Sequence, residues 1–594
     1  MTSVRSAPMR LIRGGGAAAW LLLFLGVLGG APLWAAEPMA LPILRVETGM
    51  HTSLIRRIAT DSRGELLASV ADDKTLRIWS LPSGRLLNVL RPPINEGTEG
   101  KLYAVALSPG GTVAAVAGLT GWDWDRRIAI YLFEVKKGTL ARRITDLPNV
   151  VNHLAFSRDG KLIAAVMAKG KGLAVYRTLD GQLQFSDASY GDQSYWVAFG
   201  PHNEIVTTSY DGFVRLYDAN FKLRAKRKPL EGGSPFGLAI SPDGGRIAVG
   251  YKGRNEVTVL KNGTLETLYE PDTSGVTGKL QTVAWSEDGR RLFAAGLFAR
   301  EEFKMARVWE GAGAPGAAFT DLPLARDTVM QLLTIPGGGM AYASADPVLG
   351  MVNDKLLRVF HHARPIASFR GLGKGLRVSR DGSKVEFSYS GSEKSGGKAR
   401  FSVRTLELDL RNAAPSGEEP LEPPLESSTE LILTPGREGS APQINGKPFQ
   451  VKDLDAVQAA AIAPDRSGVA LGTTFSVRYF DKEGRPMWQI SAPGEVWAVN
   501  ISGDGRFVVA AYGDGTLRWY GRADGREVLS FFPHNDRERW ILWTPNGYYA
   551  ASSGGDNLIG WHRNQGKQAA AEFYPAHGFK ENYERPDLIK GIFQ

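Results

Sequence analysis

Histidines are the side chains best suited to move protons or bind a metal near neutral pH. This sequence has them at 51, 153, 202, 361, 362, 534, 562 and 577. Only His361 and His362 are neighbours, and adjacent strand residues point to opposite faces, so no metal site is expected. The chain has no cysteine. Disulfides, thiolate zinc sites, iron–sulfur clusters and a cysteine nucleophile are therefore excluded within this polypeptide. Gly-x-Ser-x-Gly, Gly-x-x-x-x-Gly-Lys-Ser/Thr and His-Glu-x-x-His are absent. The many Asp-Gly pairs lack the alternating acids and distal Glu of a calcium loop, so they are read as hairpin turns. No catalytic residue and no cofactor is expected.

Three clusters remain. Lys222, Arg224, Lys226, Arg227 and Lys228 form a basic stretch, read as a solvated strand edge that discourages pairing with other chains. Trp122-Asp123-Trp124-Asp125 places two indoles in a turn, either a packed hairpin tip or a contact for a partner. Trp540, Trp543 and Trp561 belong to an aromatic C-terminal stretch, either a buried closure of the fold or a docking face. Trp122, Trp124, Trp540, Trp543 and Trp561 thus stand as candidate partner-binding residues.

The elements that hold these clusters repeat. A tight-turn signature begins at 61, 108, 157, 200, 241, 286, 334, 379, 463, 502 and 544, as in Ser157-Arg158-Asp159-Gly160 and Ser241-Pro242-Asp243-Gly244. One double-length gap holds Thr434-Pro435-Gly436, giving twelve units with a mean period near 44 residues. Alternating strands flank each turn, such as Tyr103-Ala104-Val105-Ala106-Leu107. That period and pattern predict an all-β fold of four-stranded propeller blades. Later in each unit comes Arg-x-aromatic: Arg77/Trp79, Arg215/Tyr217, Arg307/Trp309, Arg358/Phe360, Arg478/Phe480 and Arg518/Tyr520. Asp73, Asp211 and Asp514 each stand four residues before such an arginine.

Asp72-Asp73-Lys74-Thr75-Leu76-Arg77-Ile78-Trp79 and Asp211-Gly212-Phe213-Val214-Arg215-Leu216-Tyr217-Asp218 resemble WD40 repeats. The resemblance implies that the aspartate closes the turn before the third strand of a blade and can bond to a histidine of the loop leading into it. His51 is positioned to serve Asp73 and Trp79. His51, Asp73, Trp79, Asp211, Tyr217 and Asp514 are accordingly expected to hold blades together. Twelve blades exceed one ring, so two consecutive WD40-like propellers are expected, at 41–325 and 326–570, with 571–594 as a C-terminal tail. An alternative boundary lies within 412–439, where Pro, Glu and Ser concentrate. Ile43-Leu44-Arg45-Val46 precedes the first repeat and is free to complete a late blade.

Residues 1–36 have the three parts of an export signal: Arg5, Arg10 and Arg13, then the apolar run Ala17 to Leu28, then Leu33-Trp34-Ala35. The formal charge of +9 includes these three cations, so the remainder is mildly basic and no nucleic-acid footprint is read. The chain is expected in a bacterial periplasm or secreted, with no membrane association after cleavage. Val496-Trp497-Ala498-Val499-Asn500, Ala511-Tyr512-Gly513-Asp514-Gly515-Thr516 and Phe573-Tyr574-Pro575 narrow the resemblance. They look like the WD-repeat region of bacterial caspase-like (clan CD) peptidase proteins, without the peptidase domain. The function expected is a non-enzymatic scaffold for a protein or peptide partner. The alternative is an enzyme with its site in a propeller channel: a lyase, glycosidase or quinone-dependent dehydrogenase.

Overall fold

The computed structural model describes residues 37–594 apart from 391–396, 412–419, 437–440, 450 and 452–455. The expected export signal at 1–36 lies outside the described residues, as does part of the 412–439 stretch. The described chain is almost entirely antiparallel β-structure in twelve small sheets.

The turn signature has a common chemistry. In Ser157-Arg158-Asp159-Gly160 the Ser157 hydroxyl donates to Asp159 Oδ1 at 2.6 Å and accepts from Leu162 N at 3.0 Å. The same pair of bonds recurs at Ser286 (to Asp288 Oδ1, from Arg291 N), Ser379 (to Asp381 Oδ1, from Lys384 N) and Ser502 (to Asp504 Oδ1, from Phe507 N). Serine and aspartate together cap the backbone that the hairpin exposes. The glycine supplies a positive φ: Gly244 sits at +71°, and a Cβ there would meet Pro201 of the preceding blade at 2.4 Å.

Seven four-stranded sheets follow one another at 55–90, 102–147, 151–187, 194–227, 235–269, 280–325 and 329–362; we number them blades 1 to 7. A separate apolar cluster joins each consecutive pair, from blades 1 and 2 through blades 6 and 7. A seventh cluster joins blade 7 to blade 1, through Ile335, Ala341 and Met351 against Ile55, Leu67 and Trp79. The seven sheets therefore close a circle, and all seven innermost strands line one axial cavity. This circle takes in 326–362, which the turn spacing alone assigns to the second propeller. Blade membership is set by sideways packing across about 270 residues of chain, and spacing carries no trace of it.

Four further sheets occupy 377–409, 433–448, 457–491 and 496–551, the last extended to six strands. Their innermost segments converge. Glu422 bridges Val378, Ile462 N donates to Leu425 O, and Asn500 Nδ2 donates to both Leu376 O and Glu422 O. Apolar clusters join 433–448 to 457–491, 457–491 to 496–551, and 496–551 to 377–409. These four sheets make a second, tighter circle, at the lower end of propeller sizes. The twelfth sheet joins chain ends: Ile43–Val46 pairs with Ile559–Arg563, which pairs with Glu572–Pro575. The stretch 571–594 is thus more than a tail. It adds that strand, and the short helix Pro586–Gly591 buries Ile589, with Phe593 just beyond it, beside Phe507 and Trp519.

Candidate functional site

Blade 1 places four side chains in series. His51 lies in the leading loop, Ser69 on the second strand, Asp73 in the turn and Trp79 on the third strand. His51 Nδ1 lies 2.8 Å from Asp73 Oδ2; a carboxylate only accepts, so this nitrogen carries the proton. His51 Nε2 lies 2.8 Å from Ser69 Oγ, which also accepts Trp79 Nε1–H at 2.8 Å. All four are buried. Burial alone would raise the Asp73 carboxyl, but the His51 ring, Arg77 and the Thr75 hydroxyl outweigh it and hold the group below the ordinary carboxylate range. The order Asp–His–Ser is that of a nucleophilic triad. Here Ser69 is fully buried and its oxygen accepts the indole N–H, so the series joins loop and strands and offers a substrate no access.

Asp73 also accepts Thr52 N at 3.1 Å and Thr75 N at 3.0 Å, and Asp211 in blade 4 performs the same two backbone tasks, accepting Gly191 N at 3.0 Å and Phe213 N at 3.1 Å. Its charged partner is Arg215, at 2.6 Å. Tyr217 OH donates to Asp187 Oδ2 at 2.7 Å and lies 3.0 Å from Tyr190 OH. Asp514, in 496–551, accepts Thr516 N and Oγ1 at 3.0 and 2.6 Å.

The five tryptophans divide. Trp124, Trp540, Trp543 and Trp561 are buried, the last three within the aromatic cores of the C-terminal sheets. Their reading as partner contacts is corrected: each indole is already covered by its own fold. Trp122 differs, with 46 % of its surface exposed. It opens the one-turn helix Trp122–Asp125 of blade 2, where Glu99 accepts Gly121 N at 2.5 Å and Asp123 N at 3.2 Å. Burial raises the Glu99 carboxyl to about 7 despite those two donors. Asp125 pairs with Arg143 and with Lys567. The exposed indole therefore stands on a fixed pedestal.

A third feature escaped the sequence reading. Two residues after each innermost strand of the first circle begins stand Arg57, Ala104, His153, Trp196, Gly237, Thr282 and Gln331, around the axis. Gln331 Oε1 accepts Ile58 N of blade 1 at 2.9 Å, and Thr282 Oγ1 accepts Leu332 N of blade 7 at 3.0 Å, tying one inner strand to the next. Their shared register was the available signal; their types have nothing in common. Among the described residues no three His, Asp or Glu side chains gather as a metal-binding group.

The WD40 family (WD domain, G-beta repeat) matches residues 45–80 and 484–520. The first match spans Asp73 and Trp79, whose hydrogen bonds are described above. At these two stretches the chain is similar to WD40 repeats. Among curated relatives, the chain is 29% identical over 142 residues to eukaryotic translation initiation factor 3 subunit I of Coccidioides immitis, covering 24% of this chain and 36% of that one. It is 28% identical over 226 residues to coronin-7 of Rattus norvegicus, covering 36% and 21%. It is 34% identical over 71 residues to the ribosome biogenesis protein BOP1 homolog of Drosophila persimilis, covering 12% and 8%. The matched stretches span about a third or less of each relative. These relatives overturn the expectation of a bacterial periplasmic or secreted protein: they are eukaryotic proteins named for translation initiation, coronin and ribosome biogenesis.

Proposed function

We propose that this WD40-repeat chain is a non-enzymatic scaffold that binds a protein partner, with the seven-blade circle of 55–362 as one module and the sheets of 377–575 as the other. The observation that supports this most directly is Trp122. A large indole held in the open on a pedestal of buried hydrogen bonds and ion pairs is the kind of anchor that dominates protein interfaces. Two of the relatives bear names of an assembly subunit and of a coronin, in keeping with a binding role. The narrower resemblance supplies one partner class to look for, a separately encoded caspase-like peptidase.

Trp122→Ala tests the proposal, because an exposed side chain can be removed at a stability change within about 0.5 kcal/mol. Affinity capture of the intact chain from its own cells should yield a stoichiometric protein partner that the variant loses at unchanged Tm. Equal recovery with both chains would remove Trp122 from the interface. Hydrolytic or redox turnover by the purified chain alone would favour the enzymatic alternative.

A further inference from the structure

The axis of the seven-blade circle holds a cavity of about 320 Å3. Its two ends differ. Where the innermost strands finish, the half-buried Thr60, Phe156, Phe199 and Thr334 flank it. Where they begin, it meets His153, Trp196 and Gln331, all buried. The His153 and Trp196 rings stack at 4.5 Å, and His153 Nδ1 has no hydrogen-bond partner. Gln331 spends its oxygen on Ile58 N, so its amide nitrogen is the end left to face the cavity. Across this end lies Arg57, only 3 % exposed, its guanidinium 4.8 Å from the Trp196 ring centre. Arg57 donates to two backbone carbonyls, Arg56 O and Tyr195 O, and its Nε has no partner. No carboxylate pairs with it among the described residues.

A buried cation without a counter-ion and a buried imidazole nitrogen without a partner are each costly, and native interiors rarely keep them. Here both adjoin one end of one cavity: His153 lines it, and Arg57 lies over the ring of Trp196, which lines it too. An engineered apolar cavity of about 150 Å3 accepts benzene, so this one has room for roughly ten to twelve heavy atoms. We propose that the channel of the first circle is a binding site for a small aliphatic monocarboxylate. Its head group sits at the His153–Gln331 end beneath Arg57, and its chain runs along the inner strands toward Phe156 and Phe199. The carboxylate accepts from Gln331 Nε2. Its charge offsets that of Arg57.

Calorimetric titration of the full chain at pH 7 with octanoate, octanol and octylamine tests this directly. Octanoate should bind saturably at one site, at least tenfold more tightly than octanol, with no binding of octylamine. Gln331→Leu should weaken octanoate at least tenfold. Gln331 also caps Ile58 N, so Tm is followed in parallel; if that variant unfolds, Ala155→Leu decides, since it adds bulk to the channel wall and removes no polar group. Loss of octanoate binding in a folded Ala155→Leu chain supports the site. Equal affinity for octanol, no saturable heat with octanoate, or octanoate binding unchanged in Ala155→Leu each overturns it.

Discussion

Blades 1 and 4 put different side chains at the same positions. His51 and Tyr190 each stand four residues before the innermost strand; Ser69 and Thr207 lie opposite Arg77 and Arg215; Trp79 and Tyr217 lie opposite Leu67 and Ile205. In blade 1 an imidazole bridges carboxylate and hydroxyl, so Asp73 is engaged and Arg77 turns to Glu47 at 2.8 Å. In blade 4 a phenol takes the place of the imidazole, and its hydroxyl meets Thr207 and Tyr217 rather than Asp211. Arg215 swings to that aspartate and lies 3.9 Å over the Tyr190 ring. Tyr190 OH still reaches Thr207 at 2.8 Å, as His51 reaches Ser69. What recurs is a hydrogen-bonded path from the leading loop through the second strand to the third. The residues that build it are exchangeable when donors and acceptors still match.

Trp79→Ala should break the blade 1 path most severely. It removes a buried indole, the N–H held by Ser69, and the stack on His362 of blade 7 at 5.1 Å. The expected cost is about 3–5 kcal/mol, a Tm lower by roughly 10 °C for a domain of this size. A loss below about 1 kcal/mol would show that the closure between blades 7 and 1 does not depend on this ring.

His51→Leu and Tyr190→Phe set the two paths against each other. The first leaves the Asp73 carboxylate buried without its ring partner and should cost about 3 kcal/mol. The second leaves Thr207 without one hydroxyl partner while Tyr217 keeps Asp187, and should cost about 1 kcal/mol. Their pH dependence should also differ. Asp73 titrates in the folded chain below its unfolded value of about 3.9. Its stabilising contribution is therefore fully present above that value and is lost as pH falls toward the folded one. The gap between wild type and His51→Leu should narrow below about pH 4, where the pair no longer contributes. Burial pushes Tyr190 up to about 12, and burial with the neighbouring Tyr190 and Asp187 raises Tyr217 further, so the Tyr190→Phe gap should stay flat from pH 3 to 8. Urea unfolding of both variants across that range measures it. A narrowing acid limb in Tyr190→Phe would make the two paths electrostatically alike.

The two blades also differ in how much of them is legible in the sequence. Ser-x-Asp-Gly turns announce themselves because their bonds lie within five residues. The period, the all-β class and the His51–Asp73–Trp79 spacing follow from such local marks. Ser69 is hidden in Leu66-Leu67-Ala68-Ser69-Val70-Ala71, where a serine passes as a small packing residue; its place opposite Arg77 was the usable signal. The seven-blade closure is hidden for another reason. Ile335 and Met351 meet Leu67 and Trp79 through shape alone, and no local pattern encodes which distant blade they will touch. The axial set of Arg57, His153, Trp196 and Gln331 combines both difficulties: unlike residues, at one register, brought together only when the circle closes.

Tyr217→Phe is the smallest change and the sharpest probe of exchangeability. The hydroxyl it removes makes two contacts, to Asp187 and to Tyr190. Asp187 Oδ1 would still accept Ser189 N at 2.7 Å and Ser189 Oγ at 2.5 Å, while Oδ2 loses the Tyr217 donor on a side chain that is only half-buried. Tyr190 would keep Thr207, and the ring itself would keep its packing against Phe185 at 5.7 Å. Because the half-buried Asp187 leaves Oδ2 within reach of solvent, the loss should lie near 0.5–1 kcal/mol, the net worth of one hydrogen bond. In blade 1 the indole N–H has only Ser69, so the equivalent loss is not buffered. A Tyr217→Phe chain destabilised by more than about 2 kcal/mol would mean that blade 4 relies on its phenol as heavily as blade 1 relies on its indole. Blade 4 would then be a second fixed path in the circle, and the exchange of residues between the two would be a change of type at equal dependence.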